Sequence, residues 1–252
     1  MNPPPRRAAL ALLAGLLAGL LALGQARAAP IVLAVNDWCP YSCALADGRR
    51  GLLVDIVSAL FAAEGRAVSF VAMPLSRGVE SARAGAVAGV VGVVPALAPE
   101  LVYPSAPLID TQFCFFTRAD SAWRFAGLDH SYGRLALGAA HGKALDPRLG
   151  RAFANLARVS GAAVTLRMAT MLELGRLDAF VEDRRSVHYV LATAYLPALR
   201  EAGCMERKFE YVAFAPAGGD ARGYAEMFSR GMEKLRDSGQ LARIVAGYAE
   251  GR

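Results

Sequence analysis

The feature that most narrows what this chain can fold into is an alternation of strand-like and helix-like segments that runs its course and then begins again. Ile31 to Val35 is apolar and β-prone and is interrupted by the polar and aromatic stretch Asn36 to Tyr41, which predicts a strand ending in a loop. Gly51 opens Leu52 to Phe61, whose apolar residues recur at helical spacing, and Glu64-Gly65-Arg66 supplies a stop. Val68 to Met73 predicts a second strand and Ser76 to Gly85 a second helix. Gly89 to Val94, apolar on both faces, then predicts a central buried strand. That order is the order of a parallel α/β sheet.

After an aromatic strand from Gln112 to Thr117 the same layout is predicted again. It runs as strand Leu135 to Ala139, a helix around Arg151 to Ala157, strand Ala163 to Arg167, helix Ala169 to Leu174 and strand Ala179 to Val181. A second aromatic strand, Phe209 to Phe214, and a helical region from Ala221 to Ala249 close the chain. Two similar units imply two lobes, each a mainly parallel sheet flanked by helices. The chain crosses between them twice, at the two aromatic strands.

Ahead of the first strand, Arg6 and Arg7 precede an apolar run from Ala8 to Gly24 and the small-residue site Ala26-Arg27-Ala28, the order of a secretory signal peptide cleaved before Ala29. Taking the three arginines of that segment from the 28 basic residues leaves 25 against 22 acidic ones, a formal +3. A charge so close to balance, with basic residues scattered among acidic ones, gives no footprint for nucleic acid. An exported chain puts its four cysteines in an oxidising compartment. Cys39 and Cys43 are close enough in sequence to close a small disulfide loop. A metal pair there would need ligands that His130, His141 and His188 do not supply at the required spacing. For Cys114 and Cys204, far apart in sequence, buried thiols and a second bridge remain equal alternatives.

Four segments together resemble extracellular solute-binding protein family 3, the periplasmic amino-acid-type substrate-binding proteins of ABC importers. They are the Asn36-Asp37-Trp38-Cys39-Pro40-Tyr41 loop with Gly51-Leu52-Leu53-Val54-Asp55-Ile56, the Val102-Tyr103-Pro104-Ser105-Ala106-Pro107 segment, Gly175-Arg176-Leu177-Asp178-Ala179 running on to Asp183, and Glu233 to Ile244. The resemblance implies a type II periplasmic-binding-protein fold with two hinge strands. Residues 1–28 would be the signal peptide, 29–111 with 212–252 the first lobe and 112–211 the second. It implies a periplasmic, monomeric, non-enzymatic receptor that captures a small polar metabolite, an amino acid or a relative, for an ABC permease. No cofactor and no metal is expected.

The expected ligand contacts are Trp38, Tyr41, Arg77, His141 and Asp183. Trp38 and Tyr41 follow the first strand, at the sheet edge that faces a crevice, where aromatic faces can pack on a ligand. Arg77 stands at a strand-to-helix junction beside that crevice and can grip a carboxylate through two parallel bonds, or be a solvated residue. The family's carboxylate-clamping arginine is absent from Pro95 to Val102, which makes Arg77 a substitute anchor or the ligand something without an α-carboxylate. Asp183 falls where the family holds the ligand's ammonium, and its bland alternative is an ion pair with Arg184 or Arg185. Glu182 next to it is expected to point the other way. His141 lies in the turn Gly138-Ala139-Ala140-His141-Gly142-Lys143, which resembles the family's glycine-rich turn. Two rival functions remain: a dehydratase-like enzyme on the same fold, with Glu173, Glu182 and Asp183 as its available carboxylates, and a ligand-sensing module without transport.

Overall fold

The computed structural model describes residues 29–43, 50–141, 143, 145–161, 163–217 and 219–249. The expected leader, residues 1–28, lies outside the described residues, as does Gly142 of the glycine-rich turn.

Two five-stranded sheets form, each with a parallel core of three strands extended by two antiparallel ones. In the first, β1 (Ile31–Val35) pairs in parallel with β2 (Val68–Ala72) and β3 (Gly89–Val93). There β10 (Lys208–Phe214) runs antiparallel to β3 and to β4 (Ile109–Thr111), giving the order β2-β1-β3-β10-β4. The second sheet repeats the plan. β6 (Ala136–Ala140) is parallel to β7 (Asn155–Val159) and β8 (Ala179–Asp183), and β5 (Phe113–Arg118) is antiparallel to β8 and to β9 (Leu199–Cys204), in the order β7-β6-β8-β5-β9. The architecture is the two-lobed α/β fold expected from the alternation.

The chain changes sheet at Gln112, between β4 and β5, and again between Cys204 and Lys208. Each aromatic strand therefore lies wholly within one sheet, and the crossings are the short connections beside them. The return comes upstream of the Val212 boundary read from the sequence, because Lys208, Phe209 and Glu210 pair with Thr111, Asp110 and Ile109 of β4.

Helices cover the faces. α1 (Leu52–Ala63) buries Leu52, Leu53, Val54, Ile56, Val57, Leu60 and Phe61, and α6 (Ala221–Asp237) packs beside it. Phe61, Phe214 and Tyr224 meet at ring-centroid distances of 5.7 to 6.5 Å. Each fully buried side chain of this size contributes roughly 1.5–3 kcal/mol through removal from water. α2 (Leu75–Arg83) and α7 (Gln240–Ala249) complete the first lobe's helices. The second lobe carries α3 (Leu149–Ala152), α4 (Val164–Glu173) and α5 (Arg184–Ala194), with Phe115, Phe153 and Phe180 among its fully buried side chains.

Two local readings are corrected here. Residues 155–157, the end of the segment read as helix, belong to the edge strand β7, in register with β6 from Ala136↔Asn155 to Ala140↔Val159. Residues 164–167, read as strand, begin α4, whose buried Met168, Ala169 and Leu172 supply the helical spacing that the β-prone Val164 and Thr165 obscure. In both cases the packing partner decides what a short, weakly patterned segment leaves open.

Candidate ligand-binding cleft

The loop after β1 is fixed from three sides. Trp38 N donates to Ser42 O at 2.6 Å, and the Cys39–Cys43 disulfide closes the loop with a Cα–Cα distance of 4.7 Å. The start of α1 donates Leu52 N–H to Pro40 O and Leu53 N–H to Tyr41 O, both at 2.8 Å. This approach requires a glycine at 51: its φ is +111°, and a Cβ there would stand 2.6 Å from the Tyr41 carbonyl oxygen. Trp38 and Tyr41, 4.2 Å apart between ring centroids, are thereby held at the edge of the first sheet facing the second lobe.

Tyr41 is completely buried, and its hydroxyl donates to Asp183 Oδ1 across the lobe boundary at 2.8 Å. Asp183 ends β8, caps α5 by accepting from Ser186 N at 3.0 Å, and accepts from Gln112 N at 3.2 Å through its second oxygen. Ser186 Oγ donates in turn to Cys39 O at 2.9 Å, and Arg185 Nη1 to Asp110 O at 2.6 Å. Burial pushes the Asp183 carboxyl up, against the pull of the Ser186 amide and the Tyr41 hydroxyl. Burial and the neighbouring Asp183 push the Tyr41 phenol far above its ordinary range. Bonds across the two lobes and within α5 thus occupy the carboxylate expected to hold a ligand's ammonium.

Beside this contact lies a cavity of about 600 Å³ whose wall draws on both lobes. From the first lobe come Asp37, Trp38, Ser76 and, on the returning strand β10, Glu210; from the second come Phe113, His141, Lys143 and Ser160. Of the five expected contacts, Trp38 and His141 line this wall, His141 as an exposed residue. Tyr41 and Asp183 bond to each other outside it. Arg77, on the first turn of α2, is exposed and outside the wall, although Pro74, Leu75 and Ser76 of the same junction belong to it.

Lys143 and Glu210 are the charged wall residues that are not exposed, unlike Asp37 and Lys208, and neither was among the expected contacts. Lys143 Nζ is 2.7 Å from Glu182 Oε1 and stands 4.3 Å over the Trp38 ring and 5.3 Å from the Phe113 centroid. Glu182 is completely buried and also accepts from Asp183 N at 2.8 Å and Thr165 Oγ1 at 3.4 Å. Glu210 is 7% exposed and accepts from Thr111 Oγ1 at 3.3 Å. Burial pushes its carboxyl up, while Lys143 pulls it down. A sequence signal for Glu210 existed: it shares the alternating buried face of β10 with Val212 and Phe214, and a charged residue at such a position calls for a partner.

Two helices begin at the cavity, α2 at Pro74 and α4 beside Ser160 and Gly161, and neither has a side-chain cap. Their free amides add positive potential to the wall. Among the described residues, Cys114, Glu201 and Cys204 form the one group close enough to hold a metal ion, and the Cys114–Cys204 disulfide takes both sulfurs. No described helix is long and apolar enough to cross a membrane.

No protein-family model matches the chain, and no curated protein matches it. Solved structures do. A histidine kinase sensor domain with similarity to periplasmic binding proteins aligns at TM-score 0.67 and 22% identity, over 89% of this chain and 97% of that one. The substrate-binding protein AbpA of an amino acid ABC transporter from Streptococcus pneumoniae, bound to L-arginine, aligns at 0.68 and 16%, over 88% and 95%. The GluR0 ligand-binding core in complex with L-glutamate aligns at 0.72 and 13%, over 88% and 99%. At these identities the likeness establishes the fold, a two-lobed α/β architecture of the periplasmic-binding-protein type.

Proposed function

We propose that this chain is an exported receptor that captures a small polar metabolite between its two lobes, 29–111 with 208–249 on one side and 113–204 on the other, and presents it to an ABC permease of the inner membrane. The observation that carries this reading is the composition of the cavity wall. Aromatic, cationic, anionic and hydroxyl groups converge on a space of about 600 Å³, the size of an amino acid with room for water, and they come from both lobes. A ligand touching both sides favours the state in which the lobes meet, by the difference between its affinities for that state and for the open one. Trp38 and His141 serve as ligand contacts in this reading, and Tyr41 with Asp183 holds the lobes together. The structural likeness to a transporter's arginine-bound protein supports delivery to a permease. The likeness to a kinase sensor domain supports a second reading, in which the same capture is signalled rather than delivered.

Thermal-shift screening of the purified chain against amino acids, polyamines, small organic acids and sugars tests the receptor reading. A compound that raises the unfolding midpoint and is recovered chemically unchanged is the expected result. A compound consumed during incubation would replace the receptor with an enzyme, and silence across the panel would remove the ligand altogether. Mass spectrometry of the exported protein should find Ala29 as its first residue.

A further inference from the structure

Three carboxyl side chains are buried at the base of the cleft, and their partners differ. Glu182 is held by Lys143, the Asp183 amide and Thr165. Asp183 is held by Tyr41, Ser186 and Gln112. Glu210, buried with 7% exposure, accepts one bond within the described residues, from the Thr111 hydroxyl at 3.3 Å, and lies in the cavity wall. A carboxylate offers about four acceptor positions, so Glu210 retains most of its bonding capacity. The charged groups around it are Lys143 and Asp183 from the second lobe and Lys208 on its own strand. None of them forms an ion pair with it among the described residues, and Lys143 is drawn to Glu182 at 2.7 Å.

Building on the receptor reading, we propose that Glu210, rather than Asp183, receives the positively charged end of the ligand, and that the ligand is a small organic cation or zwitterion bearing an ammonium or guanidinium group. Such a group, donating to Glu210, supplies the bonds and the opposite charge that this buried carboxyl lacks. A purely anionic ligand would be pressed against it. A zwitterion's negative end remains compatible with the cavity, because Lys143 has three donors and gives one to Glu182.

Proton linkage follows. In the unliganded protein burial holds the Glu210 carboxyl above its ordinary range, and a bound cation pulls it down. Between those two values binding releases a proton, so affinity for a cation rises as pH rises through that window.

Isothermal titration of L-arginine, L-lysine, putrescine, L-alanine, glutarate and glucose, each in two buffers of different ionisation enthalpy, tests this on the wild-type chain and on Glu210→Gln. The expected result is that a cationic or zwitterionic compound binds the wild type with proton release. In E210Q its affinity should fall by about 30-fold or more, and the proton release should vanish. The wild-type proton count needs no variant, and the unfolding midpoint of E210Q checks that it is folded. Glutarate or glucose binding equally to both proteins would overturn the role of Glu210 while leaving the receptor standing, as would a cation whose affinity and proton release E210Q does not change. Binding of none of the six would overturn the cation assignment, and silence across the wider thermal-shift panel would take the receptor reading with it.

Discussion

The two sides of the cleft treat buried polar groups in opposite ways. On one side Tyr41, Asp183, Ser186 and the Cys39 carbonyl form a closed set in which each oxygen of Asp183 has a donor and the bonds from the Tyr41 and Ser186 hydroxyls run between the lobes. On the other, Lys143 and Glu182 pair within the second lobe, and Glu210 faces the cavity with a single hydroxyl partner. The difference teaches where a ligand is needed. A saturated set can draw the lobes together by itself, whereas an undersatisfied carboxyl at a cavity wall leaves a place for something that is not protein.

The sharpest way to break the comparison is to strip a cation from the cavity side. Lys143→Met leaves the fully buried Glu182 without its ammonium and should lower unfolding free energy by about 3 kcal/mol or more in urea denaturation. Next in size, Asp183→Ala orphans the Tyr41 hydroxyl and the Gln112 amide and uncaps α5, a loss of about 2–3 kcal/mol by the same measurement. Tyr41→Phe removes two interlobe bonds, one donated to Asp183 and a longer one accepted from Arg185, and keeps the ring, so a loss of about 1–2 kcal/mol is expected, together with a larger radius of gyration in solution scattering as the lobes part more often.

The smallest effect should have the opposite sign. Glu210 has a folded-state pKa raised above its unfolded value, so its contribution to stability is fully present below the unfolded value and is lost as pH rises through the folded one. Glu210→Gln should therefore match the wild type in acid and exceed it, by no more than a few degrees in unfolding midpoint, once the wild-type carboxyl ionises. A midpoint gain that is the same at every pH would mean that burial of the charge is not its cause.

Much of the fold is written locally. The helical spacing of Leu52 to Phe61, the two-faced apolar strand at Gly89 and the restart after Gln112 each depend on neighbours within a dozen residues. That range is the one a sequence pattern can express. The edge strand at Asn155–Val159 failed that test because one side of it has no partner strand and its burial alternates only weakly. The site was legible in part for the same reason. Trp38 and His141 could be placed at the cleft from their positions after β1 and β6. The partner of Asp183 is Tyr41, 142 residues away, and no local pattern announces a bond of that span. Arg77 shows the converse limit: the junction it occupies does reach the cavity, but its side chain is turned to solvent.

Cys114 and Cys204 stand directly opposite each other on β5 and β9, just inside the two connections between the lobes, and they are bonded. Their sequence separation of 90 residues encloses nearly the whole second lobe. Topologically that lobe is a closed ring hung on the first by two short stems. A single backbone cut anywhere inside the ring would leave one molecule, its halves parting only after reduction.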